Sequence, residues 1–202
     1  MKYSIICGSH RPNSQSLKTA KYIEKILLEQ GDATYLLDLS DGQLPQWDES
    51  FWNADPKWEK IWAPVANQLK SSDALVVISP EYHGMASAAL KNFFLFAGKD
   101  EIGHKPGLIV AVSSGMGGSY PVAELRMSSY KNTRICYLPE HLILRNSEHI
   151  LNEKTEEKFL EEDRYMRERI AYTLNLLQEY ARALKLVRES GVVDYTKFPN
   201  GM

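Results

Sequence analysis

Three short stretches of this chain bring together residue types suited to a charged, flat ligand. The first is "GSHRPNSQS", residues 8–16, directly after the apolar run "YSIIC". It offers hydroxyls at Ser9, Ser14 and Ser16 and a guanidinium at Arg11, and then continues as helix-like sequence. Main-chain N–H groups at a helix start, backed by the helix dipole, attract an anion. The serines add donors, and the planar fork of Arg11 pairs with phosphate. The same residues read equally as an ordinary turn in which Ser14 caps the helix behind it. With no GK[ST] and no GxGxxG, a nucleoside triphosphate or Rossmann-type dinucleotide site is disfavoured.

The second stretch is "SPEYHG", residues 79–84. Pro80 is expected to stop the preceding strand, and Gly84 to permit an unusual dihedral. Successive N–H groups here can face a flat polar ring, with aromatic surface from Tyr82 and an acceptor from Glu81. His83 invites a catalytic role, although a lone loop histidine is more often a surface or hydrogen-bonding residue. The third stretch, "SSGMGGS" (113–119), carries Gly115, Gly117 and Gly118, which allow close backbone approach to a ligand. A plain flexible loop is the simpler alternative. His10 finds no role.

These stretches must be positioned by the elements around them. Short β-branched runs at 2–7, 33–39, 74–79, 107–114 and 134–138 alternate with longer helix-like segments. Helices are expected from about Ser14 to Gln30, ahead of Gly98, and near Tyr120–Asn132. Continuously apolar strands indicate burial on both faces, and strand–helix alternation indicates a parallel sheet with helices on both sides. The three stretches then sit at matching ends of strands one, three and four. In such sheets ligands bind at the carboxyl ends of the strands. An anion site beside two ring-friendly loops suggests a mononucleotide with a flat heterocycle.

Composition sets outer bounds. The 202 residues are 44% hydrophobic and 25% charged, with a formal net charge of -2, ordinary values for a soluble globular chain. That balance gives no support to nucleic acid or an anionic membrane as partner. Cys7 and Cys136 lie in apolar stretches without metal-ligand spacing and read as buried thiols in a reducing compartment. No signal peptide and no apolar window of about 18 residues is evident. The expected location is the cytoplasm.

With those residues in view, the chain resembles the NADPH-dependent FMN reductase family, flavodoxin-like flavoproteins that include quinone, azo-dye and metal-ion reductases. "GSHRPNSQS" matches that family's GSxRxxS loop, and "PEYHGMASAALKN" its PEYNG…LKN segment, within a resemblance spanning about residues 2–145. The resemblance implies an α/β flavodoxin-like fold: a doubly wound five-stranded parallel sheet of order 2-1-3-4-5, helices on both faces, and a C-terminal helical extension. It implies FMN as cofactor and NADPH or NADH as electron donor. Ser9, Arg11, Ser14 and Ser16 would hold the FMN phosphate, with Leu17 beside it. Pro80, Glu81, Tyr82, His83 and Gly84 would border the isoalloxazine ring. Ser113, Ser114, Gly115, Met116, Gly117 and Gly118 would flank the pyrimidine side and ribityl chain. Lys91 and Asn92 match the LKN segment, which supports fold and assembly.

The chain departs from the family at several points. His83 replaces the commonest asparagine, and Ser16 stands where many members have asparagine. "FFLFAG" replaces an "IDW"-like string. All four tryptophans, Trp47, Trp52, Trp58 and Trp62, fall within sixteen residues, open to readings as core, subunit contact or substrate wall. Met166, Ile170, Thr173, Leu177, Tyr180, Leu184 and Val187 form an apolar stripe within a helical region at 153–189. That stripe suits packing on its own domain or a coiled-coil-like oligomer contact. The expected division is an FMN-binding domain at 1–150 and a helical extension at 151–202, in a homodimer or homotetramer.

The expected activity is hydride transfer from NAD(P)H through the flavin N5 to a small-molecule acceptor: a quinone, azo compound or free flavin. The flavin N5 carries this chemistry, and His83 is the one side chain considered for a catalytic role. The alternative is a non-catalytic FMN-binding electron-transfer or sensor protein acting through a protein partner. A serine hydrolase is disfavoured, because no G-x-S-x-G elbow is present.

Overall fold

β1 (Lys2–Cys7) and β3 (Ala74–Tyr82) are apolar almost throughout because both of their faces are covered. In the computed structural model, which describes residues 1–201, they are joined by β2 (Ala33–Asp38), β5 (Pro106–Val112) and β6 (Cys136–Leu144). The sheet order is β2-β1-β3-β5-β6, and these neighbours all pair in parallel. The two-residue β4 (Met85–Ala86) pairs antiparallel with the end of β3. The five long strands therefore follow the expected order 2-1-3-4-5.

Side chains alternate across the strands and divide the core in two. Ile5, Val76, Ile78 and Val110 pack under α1 (Gln15–Glu29) and α6 (Leu160–Glu189). Ile6, Leu75, Val77 and Ile109 face α2 (Pro56–Lys70), α3 (Ala88–Phe96) and α5 (Ser119–Ser128). A one-turn α4 (Lys99–Ile102) leads into β5. Phe93 on α3 is fully buried, a burial that contributes roughly 1.5–3 kcal/mol.

Several boundaries differ from the sequence reading. The last strand runs from 136 to 144 rather than 134–138. The register jumps from Gly107–Tyr137 to Ile109–His141, so Leu138, Pro139 and Glu140 bulge opposite Leu108. Among the described residues β6 pairs with β5 alone, and an edge strand tolerates such a proline. Pro80 does not stop β3, which continues to Tyr82. On the β1 side the Gly8 N–H still donates to the Ile78 carbonyl. The Gly8 carbonyl, which a residue with an N–H at position 80 would meet, takes the Ser87 hydroxyl instead, and Pro80 pairs with Val112 on the other side. The C-terminal helix starts at Leu160, after a 3₁₀ turn at Glu157–Phe159, rather than at 153.

The tryptophans separate. Trp58 and Trp62 are buried on α2, capped by Asp55, whose carboxylate accepts from the Lys57 N–H at 3.0 Å. Trp52 is exposed and meets the half-buried Trp47 edge-on, with centroids 4.5 Å apart. Asn92 holds this loop by accepting from Trp47 N at 2.8 Å and donating to the Pro45 carbonyl at 3.0 Å. On α6, Met166, Ile170, Thr173 and Leu177 of the stripe are buried against the sheet with Leu174 and Ala181, whereas Val187 is exposed. Asp163, near the start of α6, accepts from Leu151 N at 2.6 Å and from Arg167 Nε at 2.8 Å.

Candidate functional site

The first loop begins at a contact that admits no side chain. A Cβ on Gly8 would lie 2.5 Å from the Ile78 carbonyl oxygen, to which the Gly8 N–H donates at 2.8 Å. The Ser87 hydroxyl donates to the Gly8 carbonyl and so ties this loop to the start of α3. Asn13 turns the chain with a left-handed φ of 52°. Ser14 then caps α1, its Oγ accepting from Leu17 N at 3.1 Å. A cap uses a lone pair and leaves the hydroxyl proton free to donate. The cap and anion-site readings of Ser14 are therefore compatible.

The second loop is a hairpin. Tyr82 pairs with Met85, and the two residues between them, His83 and Gly84, have φ of 51° and 74°. Positive φ at both positions defines a type I′ turn, which matches the strand twist. The Tyr82 hydroxyl lies 2.9 Å from Ser9 Oγ, and Arg11 N donates to that same Ser9 oxygen at 3.1 Å. His10 packs edge-on against Tyr82 with centroids 5.2 Å apart, a contact that accounts for its position.

The third loop is clamped from two sides. Glu81 accepts from Gly118 N at 2.8 Å. Arg145 Nε donates to the Met116 carbonyl at 2.7 Å and to that of Gly117 at 3.2 Å. A Cβ at Gly117 would sit 1.7 Å from Glu81 Oε2, so a larger residue there would have to push the Glu81 carboxylate off the Gly118 amide. Gly118 starts α5 at a φ of 105°.

One cleft opens where these loops meet. Of the expected site residues, Arg11, Ser14, Ser16, Pro80, Glu81, Tyr82 and Ser114 line it. Ser9 and Ser113 are buried just behind it, and Leu17 packs against the core. His83 and Gly84 form the hairpin tip, and Gly115, Met116, Gly117 and Gly118 form the clamped loop. The lining also includes Asn13, Gln15, Val112, Ser147 and Glu148, which the sequence reading missed. Asn13 and Gln15 stood inside the first stretch but were not singled out. Ser147 and Glu148 follow the true end of β6, so a strand end placed at 138 hid them.

The chemistry on offer is binding rather than nucleophilic attack. Cys7, at the root of the first loop, is fully buried, and that burial pushes its thiol up to about 12. The thiolate is therefore not populated near neutrality. Among the described residues no group of three or more His, Cys, Asp or Glu could hold a metal ion. No helix among them is long and apolar enough to cross a membrane.

Comparison with known proteins decides the lineage. Residues 1–149 match the profile of the family described as NADPH-dependent FMN reductase. The chain belongs to this family. A NADPH azoreductase of Bacillus sp. (strain OY1-2) is 28% identical over 144 residues, covering 71% of this chain and 76% of that protein. An FMN-dependent NADPH-azoreductase of Staphylococcus aureus (strain USA300) is 28% identical over 130 residues, covering 63% of this chain and 68% of that protein. Among solved structures, FerB, a flavoenzyme NAD(P)H:(acceptor) oxidoreductase from Paracoccus denitrificans, aligns with a TM-score of 0.65 and 20% identity over 91% of this chain and 97% of that one. At that identity the likeness is one of fold. The family is one of oxidoreductases that use FMN and NAD(P)H, and the fold is flavodoxin-like, as expected from the sequence.

Proposed function

We propose that this protein binds FMN in the cleft and passes electrons from NAD(P)H to a small aromatic acceptor of quinone, azo or free-flavin type. The observation that carries this reading is the meeting of a helix N-terminus, Arg11 and the clamped glycine loop at the carboxyl ends of the parallel strands. The residues present fit an FMN. Ser147 Oγ and Gln15 Oε1 are enclosed in the lining without a hydrogen-bond partner, so the cleft holds polar groups that a ligand would satisfy.

In this assignment Arg11, Ser14 and Ser16 hold the phosphate, and Ser9 and Leu17 support them from behind. Pro80, Glu81, Tyr82, His83 and Gly84 border the ring, and Ser113 through Gly118 flank its pyrimidine side. When bound, FMN supplies hydride acceptance from the nicotinamide and two-electron delivery to the acceptor. The protein's own work is to orient and exclude. Glu81 keeps the third loop closed on the second, and the I′ turn holds His83 at the rim. Met85, Met116 and Tyr120 are exposed, and Tyr120 lies against Gly84. They offer a flat acceptor an apolar landing surface beside the hairpin.

The test is a spectrum and a turnover assay on the purified full chain. Saturation with FMN should produce a protein-bound flavin band, and NADPH should then be consumed with a quinone or azo acceptor present. No bound flavin at saturation would overturn the reading. Bound flavin with neither NADPH nor NADH consumed would instead make the protein an electron carrier.

A further inference from the structure

The turn after β6 was not among the three stretches that suggested the cleft, yet it forms part of the wall. Ser147 is 2% exposed and lines the cleft near the start of α1. Both of its backbone groups are used: its N–H donates to the Ser113 carbonyl at 3.1 Å, and its carbonyl accepts from Lys18 Nζ at 2.7 Å. Only its hydroxyl has no partner. A buried, unsatisfied hydroxyl is unfavourable, and an alanine of the same fold would avoid the penalty. A bound ligand that accepts from it removes the penalty, and the adjoining helix N-terminus and Arg11 make that ligand an anion.

Lys18 explains how the turn is held. Its ammonium donates to Ser147 O, to Ile150 O at 2.8 Å and to Asn152 Oδ1 at 2.9 Å. All three of its protons thus go to one turn. Lysine in the first turn of a helix opposes the helix dipole, and here its burial lowers its proton affinity further, with Asp163 and Glu148 acting in the opposite sense. The placement makes sense as a brace between α1, which begins at the anion site, and the segment that carries Ser147.

We infer that the turn after β6 is a fourth wall of the ligand cleft, in which the Ser147 hydroxyl donates to the phosphate of the bound mononucleotide and Lys18 is the positioning residue that holds it there. This rests on the FMN reading of the cleft. Gln15 Oε1, also unpartnered in the lining, calls for a donor, which a phosphorylated polyol supplies from its hydroxyls. The class of ligand implied by these groups is a polyol monophosphate.

The experiment titrates FMN and riboflavin into the full chain, freed of bound flavin, by flavin fluorescence. Wild-type binding of FMN comes first; its absence would overturn the FMN reading and this inference with it. Given wild-type binding, Ser147→Ala should weaken FMN about tenfold, the effect of about one net hydrogen bond to a charged group, and leave riboflavin nearly unchanged. The ligand-free variant should melt at the wild-type temperature or above it, because an unsatisfied hydroxyl has been removed. Lys18→Met should weaken FMN selectively, and adding Ser147→Ala to it should cause little further loss. Unchanged FMN affinity in Ser147→Ala, equal weakening of FMN and riboflavin, or a lowered ligand-free melting temperature would overturn the Ser147 assignment. Additive losses in the double variant would overturn the positioning role of Lys18.

Discussion

The Glu81 carboxylate accepts a hydrogen bond from the Gly118 amide at 2.8 Å, joining the hairpin after β3 to the loop after β5. Glu81→Ala should leave that amide without a partner and loosen the third loop. The expected loss is about 1–3 kcal/mol of stability, with weaker flavin binding; Glu81→Gln, which keeps an acceptor, should lose less of both. Gly117→Ala should produce a similar loss, since its Cβ would lie 1.7 Å from Glu81 Oε2 and displace that carboxylate from the Gly118 amide. Chemical denaturation and flavin titration measure both effects.

Arg11 lines the cleft with an exposed side chain. Arg11→Ala should weaken FMN by about 10- to 100-fold, as expected for a charged hydrogen bond of about 1.5–3 kcal/mol. Riboflavin, which lacks the phosphate, should be affected far less. Raising the salt concentration should shrink the difference. Equal weakening of both flavins would reject a phosphate contact.

His83 occupies the first position of a type I′ turn at a φ of 51°. Asparagine tolerates this conformation better than histidine. His83→Asn should raise stability by about 0.5 kcal/mol, whereas the β-branched His83→Val should lower it by on the order of 1–3 kcal/mol. Thermal melts of the three proteins decide the matter.

Lys105 is 6% exposed, and its ammonium donates to the Leu69 carbonyl at 2.6 Å and the Lys70 carbonyl at 2.8 Å at the end of α2. Burial, aided by Arg188, brings it down to about 8, whereas an unfolded lysine titrates near ~10.4. Between those values the unfolded chain binds more protons, so the Lys105 contribution to stability rises with pH. The stability of the wild type relative to Lys105→Met should therefore grow between about pH 8 and pH 10, by on the order of 2–3 kcal/mol. Urea melts across that range supply the measurement, and a flat difference would contradict it.

Leu177 is fully buried in the core that also holds Ile5 and Val110. Leu177→Ala should cost about 2–5 kcal/mol. Unfolding should remain one transition by circular dichroism and by tryptophan fluorescence, because α6 shares that core with the sheet. Separate transitions would mark the C-terminal region as an independent unit.

Much of the fold was legible because local pattern and tertiary environment agree. The runs "KYSIIC" and "ALVVIS" are apolar without alternation, and both strands lie inside the sheet. Gly31 ends α1 region with a φ of 83°, as a glycine beyond a helix does. α2 was harder to read, since Pro56 and Pro64 interrupt its pattern and its tryptophans alternate with charges. β6 was cut short because Pro139 breaks the run, and its bulge is tolerable only at a sheet edge. That edge position belongs to the sheet and cannot be seen from the strand itself.

The candidate site divides the same way. Residue types and spacing alone marked Ser9, Arg11, Ser14, Ser16, the "SPEYHG" turn and the glycines of the third loop, because helix starts, turns with unusual dihedrals and close backbone approaches each demand particular residues. That the second turn is a type I′ hairpin came from the structure. Only the tertiary structure brought Ser147 beside α1 through Lys18, 129 residues away in sequence, and set Glu81 against Gly118. Such contacts depend on where separate strands end in space, and no local pattern of residues encodes that distance.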